Sequence, residues 1–89
     1  MTNAEIAAVF YDIGTRLREK KDNFFKIRAY EKAAKAIEEW PAPVEQLAKE
    51  DRLREIPGVG KAINKKITEL VNTGRLEFYE RLKSEQKLS

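Results

Sequence analysis

Three lysines follow a glycine turn in "IPGVGKAINKK", residues 56–66: Lys61, Lys65 and Lys66, with no acid among them. An amine offers two chemistries. Protonated, it holds a phosphate as a compact point charge. Neutral, it attacks an aldehyde and forms a Schiff base. The segment behind the turn has helical spacing, so its first N–H groups lack intrahelical acceptors and its positive dipole end faces the turn. Lys61 falls in that first turn, where the dipole disfavours a cation. A phosphate bound there would offset the cost. The plainer alternative is a tight connection between two helices.

Position on the helix separates the lysines. Ile63, Ile67, Leu70 and Val71 share one face at helical periodicity. Lys61 and Lys65 point away from it. Lys66 falls at its edge, three residues after Ile63 and four before Leu70. Partial desolvation, with cationic Lys61 and Lys65 near in sequence, is expected to lower its pKa. Two alternatives stay open. Lys66 can lay its stem on the core and keep its ammonium in water. Glu69, three residues on, can pair with it and hold the charge.

The turn itself needs small residues. Pro57 cannot extend a preceding helix. Gly58 and Gly60 are free to take unusual angles and to let another backbone approach. Val59, between them, is expected to point inward. A short helix with Leu53 and Ile56 on its inner side, capped by Asp51, leads in. A helix from about residue 60 to 73, stopped by Gly74, leads out. The motif is a helix–hairpin–helix. Its phosphate contacts would use backbone groups and give no base readout.

Other helices must carry this motif. Ile6, Val9, Phe10, Ile13 and Leu17 form one stripe, with Thr2 or Asn3 as cap and Glu5 in the first turn. Asp22 or Asn23 caps a second, striped by Ile27, Tyr30, Ala34 and Ile37. "WPAP" closes it, because a residue before proline avoids helical geometry. Pro43 opens a short third helix with Val44 and Leu47. Leu76, Tyr79 and Leu82 mark a last one, expected to fray, and the final residues read as a cut or disordered end. The expectation is all-α: one domain over residues 1–89, a compact bundle of four to five short helices. It comprises a helix pair (1–40), the helix–hairpin–helix (51–74) and a C-terminal helix and tail (75–89).

Composition narrows the function classes. The 89 residues contain no cysteine and no histidine, which removes disulfides, thiolate chemistry and the commonest metal ligand and general base. No apolar run is long enough for a membrane span, so a membrane partner is not expected. The excess charge is small, 18 basic against 15 acidic residues. It is concentrated in the hairpin helix and in residues 26–35, where Lys26, Arg28, Lys32 and Lys35 face one acid, Glu31.

"FFKIRAYEKAAKAIEEWP" followed by "LREIPGVGKAINKKITELVNTGRL" resembles the small N-terminal domain of the family X DNA polymerases, the DNA polymerase beta group, in its bacterial and archaeal style. The likeness covers about residues 4–84. It implies a compact unit that binds the 5′-phosphate side of gapped or nicked DNA in repair, independently of base sequence. In several members it also removes 5′-deoxyribose phosphate by β-elimination through a lysine Schiff base. By this resemblance the Schiff-base lysine falls on Lys66 and the supporting tyrosine on Tyr30. A 5′-phosphate-binding lysine falls on Lys26, and the hairpin on Pro57, Gly58, Val59 and Gly60. Backbone carbonyls of Arg54, Ile56 and Val59 would hold a monovalent cation, Na+ or K+, bridging to a DNA phosphate; no other cofactor is implied. Lys61 and Lys65 would add phosphate contacts. If the Lys26–Tyr30 face meets the edge of the hairpin helix, Lys26, Tyr30 and Lys66 surround one pocket.

The sequence departs from the mammalian pattern at Phe25, which replaces a histidine, at Ala62, which replaces a lysine, and at Phe78, which replaces a basic residue. Asp12, Asp22 and Asp51 are scattered, with no Asp-x-Asp to hold two metal ions, so polymerisation is not expected of this chain. The resemblance implies a monomeric, cytoplasmic and nucleoid-associated module, either a stand-alone relative or, as length and the polar end favour, the N-terminal domain of a larger polymerase joined to polymerase and phosphoesterase domains. Three functions compete: a gap-binding lyase, a gap-binding tether without lyase activity, and a protein-interaction domain that keeps the hairpin as architecture.

Overall fold

Thr2 starts the first helix, α1 (Asn3–Glu19), by a reciprocal cap. Its hydroxyl accepts the Glu5 N–H at 3.1 Å, and the Glu5 carboxylate accepts the Thr2 N–H at 2.8 Å. Asn3 is therefore free for another task. Its side chain donates to the Ala42 carbonyl at 2.8 Å and accepts the Val44 N–H at 2.8 Å, pinning the proline-rich connection to α1. Asn23, rather than Asp22, caps α2 (Phe24–Glu39) by accepting the Phe25 and Lys26 N–H groups. A short α3 (Val44–Lys49), a single 3-10 turn (Leu53–Glu55), α4 (Lys61–Thr73) and α5 (Glu77–Lys87) complete this computed structural model, which describes residues 1–87 and side chains as far as Glu85. Positions 88 and 89 of the expected tail lie outside the described residues. The chain is all-α, as expected, with five α-helices among the described residues.

One cap differs from the expectation. Asp51 does not cap the element before the hairpin. It takes φ 57° and closes α3, with its own N–H donating to the Ala48 carbonyl and the next N–H, of Arg52, donating to the Leu47 carbonyl at 2.8 Å. This pattern satisfies the last carbonyls of a helix and needs a left-handed residue, a role aspartate tolerates. The 3-10 turn then begins at Arg52 without a side-chain cap.

The helices share one core. Phe10, Ile13 and Leu17 of α1 meet Ile27, Tyr30 and Ile37 of α2, and Ile63, Ile67 and Leu70 of α4 close the layer. Ala33 and Ala34 are fully buried, and their small size lets neighbouring backbone come close. α5 is held against α1 by Leu82 and by a polar clamp in which the Asp12 carboxylate accepts the Tyr79 hydroxyl at 2.5 Å and Arg16 Nε at 2.8 Å.

This clamp gives a pH-dependent contribution to stability. Burial pushes the Asp12 carboxyl up, but hydrogen bonds from Arg16 and Tyr79 outweigh it and hold the folded pKa below the usual carboxylate value. A depressed carboxylate stabilises the fold above its unfolded pKa and loses that contribution as pH falls through the folded value. Tyr79→Phe should lower stability at pH 7 by about 1 kcal/mol, since one hydrogen bond to a half-exposed carboxylate is lost. Thermal melts of both proteins from pH 7 to pH 2 should converge at the acid end. A constant difference across the range would contradict the clamp.

Candidate functional site

The turn at residues 56–59 is a β-turn closed by the Val59 N–H on the Ile56 carbonyl at 3.1 Å. Pro57 supplies the fixed φ of its second position, and Gly58 supplies φ 88° at its third. Val59 is buried and pins the loop inward. The hairpin lies directly against α2. A Cβ on Gly58 would stand 3.2 Å from Lys32 Cγ and 3.7 Å from the Ala33 nitrogen. Ala33 and the stem of Lys32 are thus the seat of the turn, which gives "YEKAA" a physical reason.

Gly60 is different. Its φ of −91° and ψ of −171° are extended angles open to any residue, so the expectation of an unusual backbone holds at Gly58 and not at Gly60. A Cβ there would meet nothing within 4 Å. No conformational need and no neighbour among the described residues requires a glycine at this position. Gly60 precedes α4 and supplies no side-chain cap. The start of α4 thus has no side-chain cap, lies beside an open Cβ position, and is formed by exposed Gly60, Lys61 and Ala62. Lys65 is exposed one turn on. The carbonyl of Ile56 takes the Val59 N–H with one of its two lone pairs.

Lys66 lies half-buried at the edge of the apolar face, where α2, α4 and α5 meet. Phe78 forms its floor, backed by two buried rings. Phe10 stacks on Tyr30 at 6.2 Å and Tyr30 on Phe78 at 5.9 Å. Lys66 Nζ stands 4.9 Å from the Phe78 centroid, and Lys26 Nζ stands 5.8 Å from it. The structure thus brings together Lys26, Tyr30 and Lys66, residues up to 40 positions apart. Phe78, read from sequence only as a lost basic group, is the surface on which both amines rest. Its stacking with Tyr30 could not be read from spacing, since the two rings lie 48 positions apart.

The electrostatics follow from that placement. Burial lowers the Lys66 pKa, and the like charge of Lys26 lowers it further. The sequence reading assigned the second effect to Lys61 and Lys65; both point away into solvent, and Lys26 on α2 takes that place. Glu69 opposes the shift only weakly. Its carboxylate instead accepts the Glu77 N–H at 2.8 Å, at the start of α5. Tyr30 is buried, which raises its hydroxyl pKa, and the charge of Asp22 adds to this. The hydroxyl therefore stays protonated at neutral pH. Lys26 keeps a loose ion pair with Asp22 at 3.9 Å. A protonated tyrosine beside a deprotonation-prone amine and a second cation suits a phosphorylated carbonyl compound. The described residues hold no group of acids able to bind a metal ion and no helix long and apolar enough to cross a membrane.

Two comparisons bear on this arrangement. Residues 1–76 match the family described as helix-hairpin-helix domain. The chain is also similar to DNA polymerase lambda of Arabidopsis thaliana, 33% identical over 84 residues, 94% of this chain but 15% of that relative.

Proposed function

Because this chain belongs to the helix-hairpin-helix domain family, we propose that it binds DNA through the phosphate backbone, at the 5′-phosphate side of a gap or nick, without reading bases. The observation that carries this reading is the exposed start of α4, without a side-chain cap, beside Gly60, whose Cβ position is open and whose angles any residue can adopt. Backbone N–H groups at a helix start, with Lys61 and Lys65 beside them, suit a phosphate. Lys26 supplies a further cation for the terminal 5′-phosphate. The carbonyls of Arg54, Ile56 and Val59 are the seat for a monovalent cation that bridges the turn to a phosphate. The similarity to a DNA polymerase supports a parent protein of that kind, of which this monomeric chain spans one module.

The same site supports a lyase. Neutral Lys66 attacks the C1′ aldehyde of a ring-opened 5′-deoxyribose phosphate and, with loss of water, forms an iminium. Loss of a C2′ proton to water lets the C3′–O bond break, and the DNA strand leaves with its phosphate. Hydrolysis of the imine returns the amine. Tyr30, kept protonated, donates toward the sugar phosphate, and Lys26 holds it.

The binding reading is tested with one gapped duplex carrying either a 5′-phosphate or a 5′-hydroxyl at the gap. The phosphorylated DNA should bind about tenfold more tightly at moderate salt, the worth of one charge-assisted contact. The preference should be the same for unrelated sequences. Equal affinities would refute the assignment, as would a preference that follows the base sequence.

A further inference from the structure

We infer that the outer face of α2, made by Arg28, Lys32 and Lys35, is a second phosphate track that holds the continuous DNA strand opposite the gap. This rests on the DNA-binding reading above and adds a second strand to it. The three side chains are exposed and spaced by four and three residues, so they share one narrow face. That face lies nearly opposite Lys26 on the same helix, so one terminal phosphate cannot serve both sites.

Charge is held ready on this face. None of the three forms an ion pair among the described residues, whereas Arg18, Lys20, Lys26 and Arg52 all do. The nearest acid, Glu31, is taken by both its oxygens on Arg18 at 2.9 Å. Two acids remain on α2: Glu38, which accepts the Tyr11 hydroxyl at 3.2 Å, and exposed Glu39, one turn beyond Lys35 at the far end of the stripe. Like charges one turn apart destabilise a helix, so three consecutive cations without ion pairs are better explained by an anionic partner.

The row is also continuous with the hairpin. The stem of Lys32 packs on Gly58. A shallow groove of about 290 Å³ runs between Lys32, Lys35, Ala36, Glu39, Trp40 and Pro57. From Arg28 to Lys35 the helix rises about 10 Å, the axial rise of about three phosphates of one strand of a duplex. A strand crossing the gap can therefore lie along α2 while the cut strand meets the start of α4.

The test uses the chain with Arg28, Lys32 and Lys35 all changed to Gln. A control changes the exposed Lys21, Lys49 and Arg75 to Gln, an equal loss of charge elsewhere. Affinity is measured against salt for the 5′-phosphorylated gapped duplex and for its phosphorylated strand alone. On the gapped duplex the salt slope of the first variant should fall by about two to three, close to 0.9 per lost phosphate contact. Its slope on the lone strand should match that of the unchanged protein, and so should its preference for the 5′-phosphate. The control should keep its slope to within about one. An unchanged slope on gapped DNA, an equal fall on the lone strand, or an equal fall in the control each overturns the track while leaving the hairpin reading intact. Failure of the unchanged protein to bind any DNA would instead remove both.

Discussion

Lys66→Arg should bind phosphorylated gapped DNA nearly as well as the unchanged protein, yet give no covalent adduct when borohydride is added to a substrate with a 5′-deoxyribose phosphate. The expected loss of trapping is at least about 100-fold, because arginine stays protonated and cannot form the imine that borohydride reduces. Lys66 is singled out by geometry. It alone among the hairpin-helix lysines is half-buried, and its amine rests on Phe78 with Lys26 close enough to press it toward the neutral form. Lys61 and Lys65 stand in solvent, so Lys61→Arg and Lys65→Arg should keep the adduct. Survival of the adduct in Lys66→Arg would move the nucleophile elsewhere. No adduct from the unchanged protein, under conditions where it binds, would end the lyase reading and leave a DNA tether.

The pH profile of trapping tests the same site independently. Burial and Lys26 place the Lys66 pKa below the ordinary lysine value of 10.5. Only the unprotonated amine attacks, so trapping should rise with pH through that lowered value. Lys26→Gln removes the neighbouring charge, which raises the Lys66 pKa and moves the profile to higher pH. Binding of the 5′-phosphate should weaken in the same variant, so the comparison is made at saturating DNA. A profile that does not move would mean that Lys26 does not act on Lys66.

Changing the two hairpin glycines should have opposite consequences. Gly58→Ala should destabilise the fold by about 1–2 kcal/mol, the cost of a left-handed backbone for an L side chain. At φ 88° the new methyl also presses on Lys32 Cγ, 3.2 Å away. In a domain of this size each kcal/mol is worth about 4–8 °C in Tm. Gly60→Ala should melt no lower than the unchanged protein, because its angles are extended and its Cβ meets nothing. It should nevertheless weaken DNA binding about tenfold, uniformly across sequences, if the methyl displaces a phosphate from one or two N–H groups. Melting curves and binding isotherms on the same samples decide it. Full affinity in Gly60→Ala would mean that no phosphate approaches the start of α4.

Much of this was legible in the chain before folding. Thr2 with Glu5, Asn23, the prolines of "WPAP" and Gly74 act within a few residues of themselves, by satisfying or withholding local N–H groups. They therefore marked where the helices begin and end, although the choice of Thr2 over Asn3 and of Asn23 over Asp22 was visible only in the fold. The period of Ile63, Ile67 and Leu70 likewise put Lys66 at an apolar edge. "IPGVG" marked the hairpin, since proline is favoured at the second position of that turn and glycine at the third, where φ is positive. The tertiary structure decided the rest. Asp51 became the end of one helix instead of the start of the next element, because the last carbonyls of α3 needed a left-handed residue. Lys26 became the neighbour of Lys66, and Phe78 the floor beneath both, because α2, α4 and α5 converge there. Gly60 proved to need no glycine backbone, because its angles are extended and its Cβ position is open. Such facts join residues tens of positions apart. They depend on how helices cross over a shared core of Phe10, Tyr30, Ala33 and Ile67, and that crossing is set by the packing of all the side chains together.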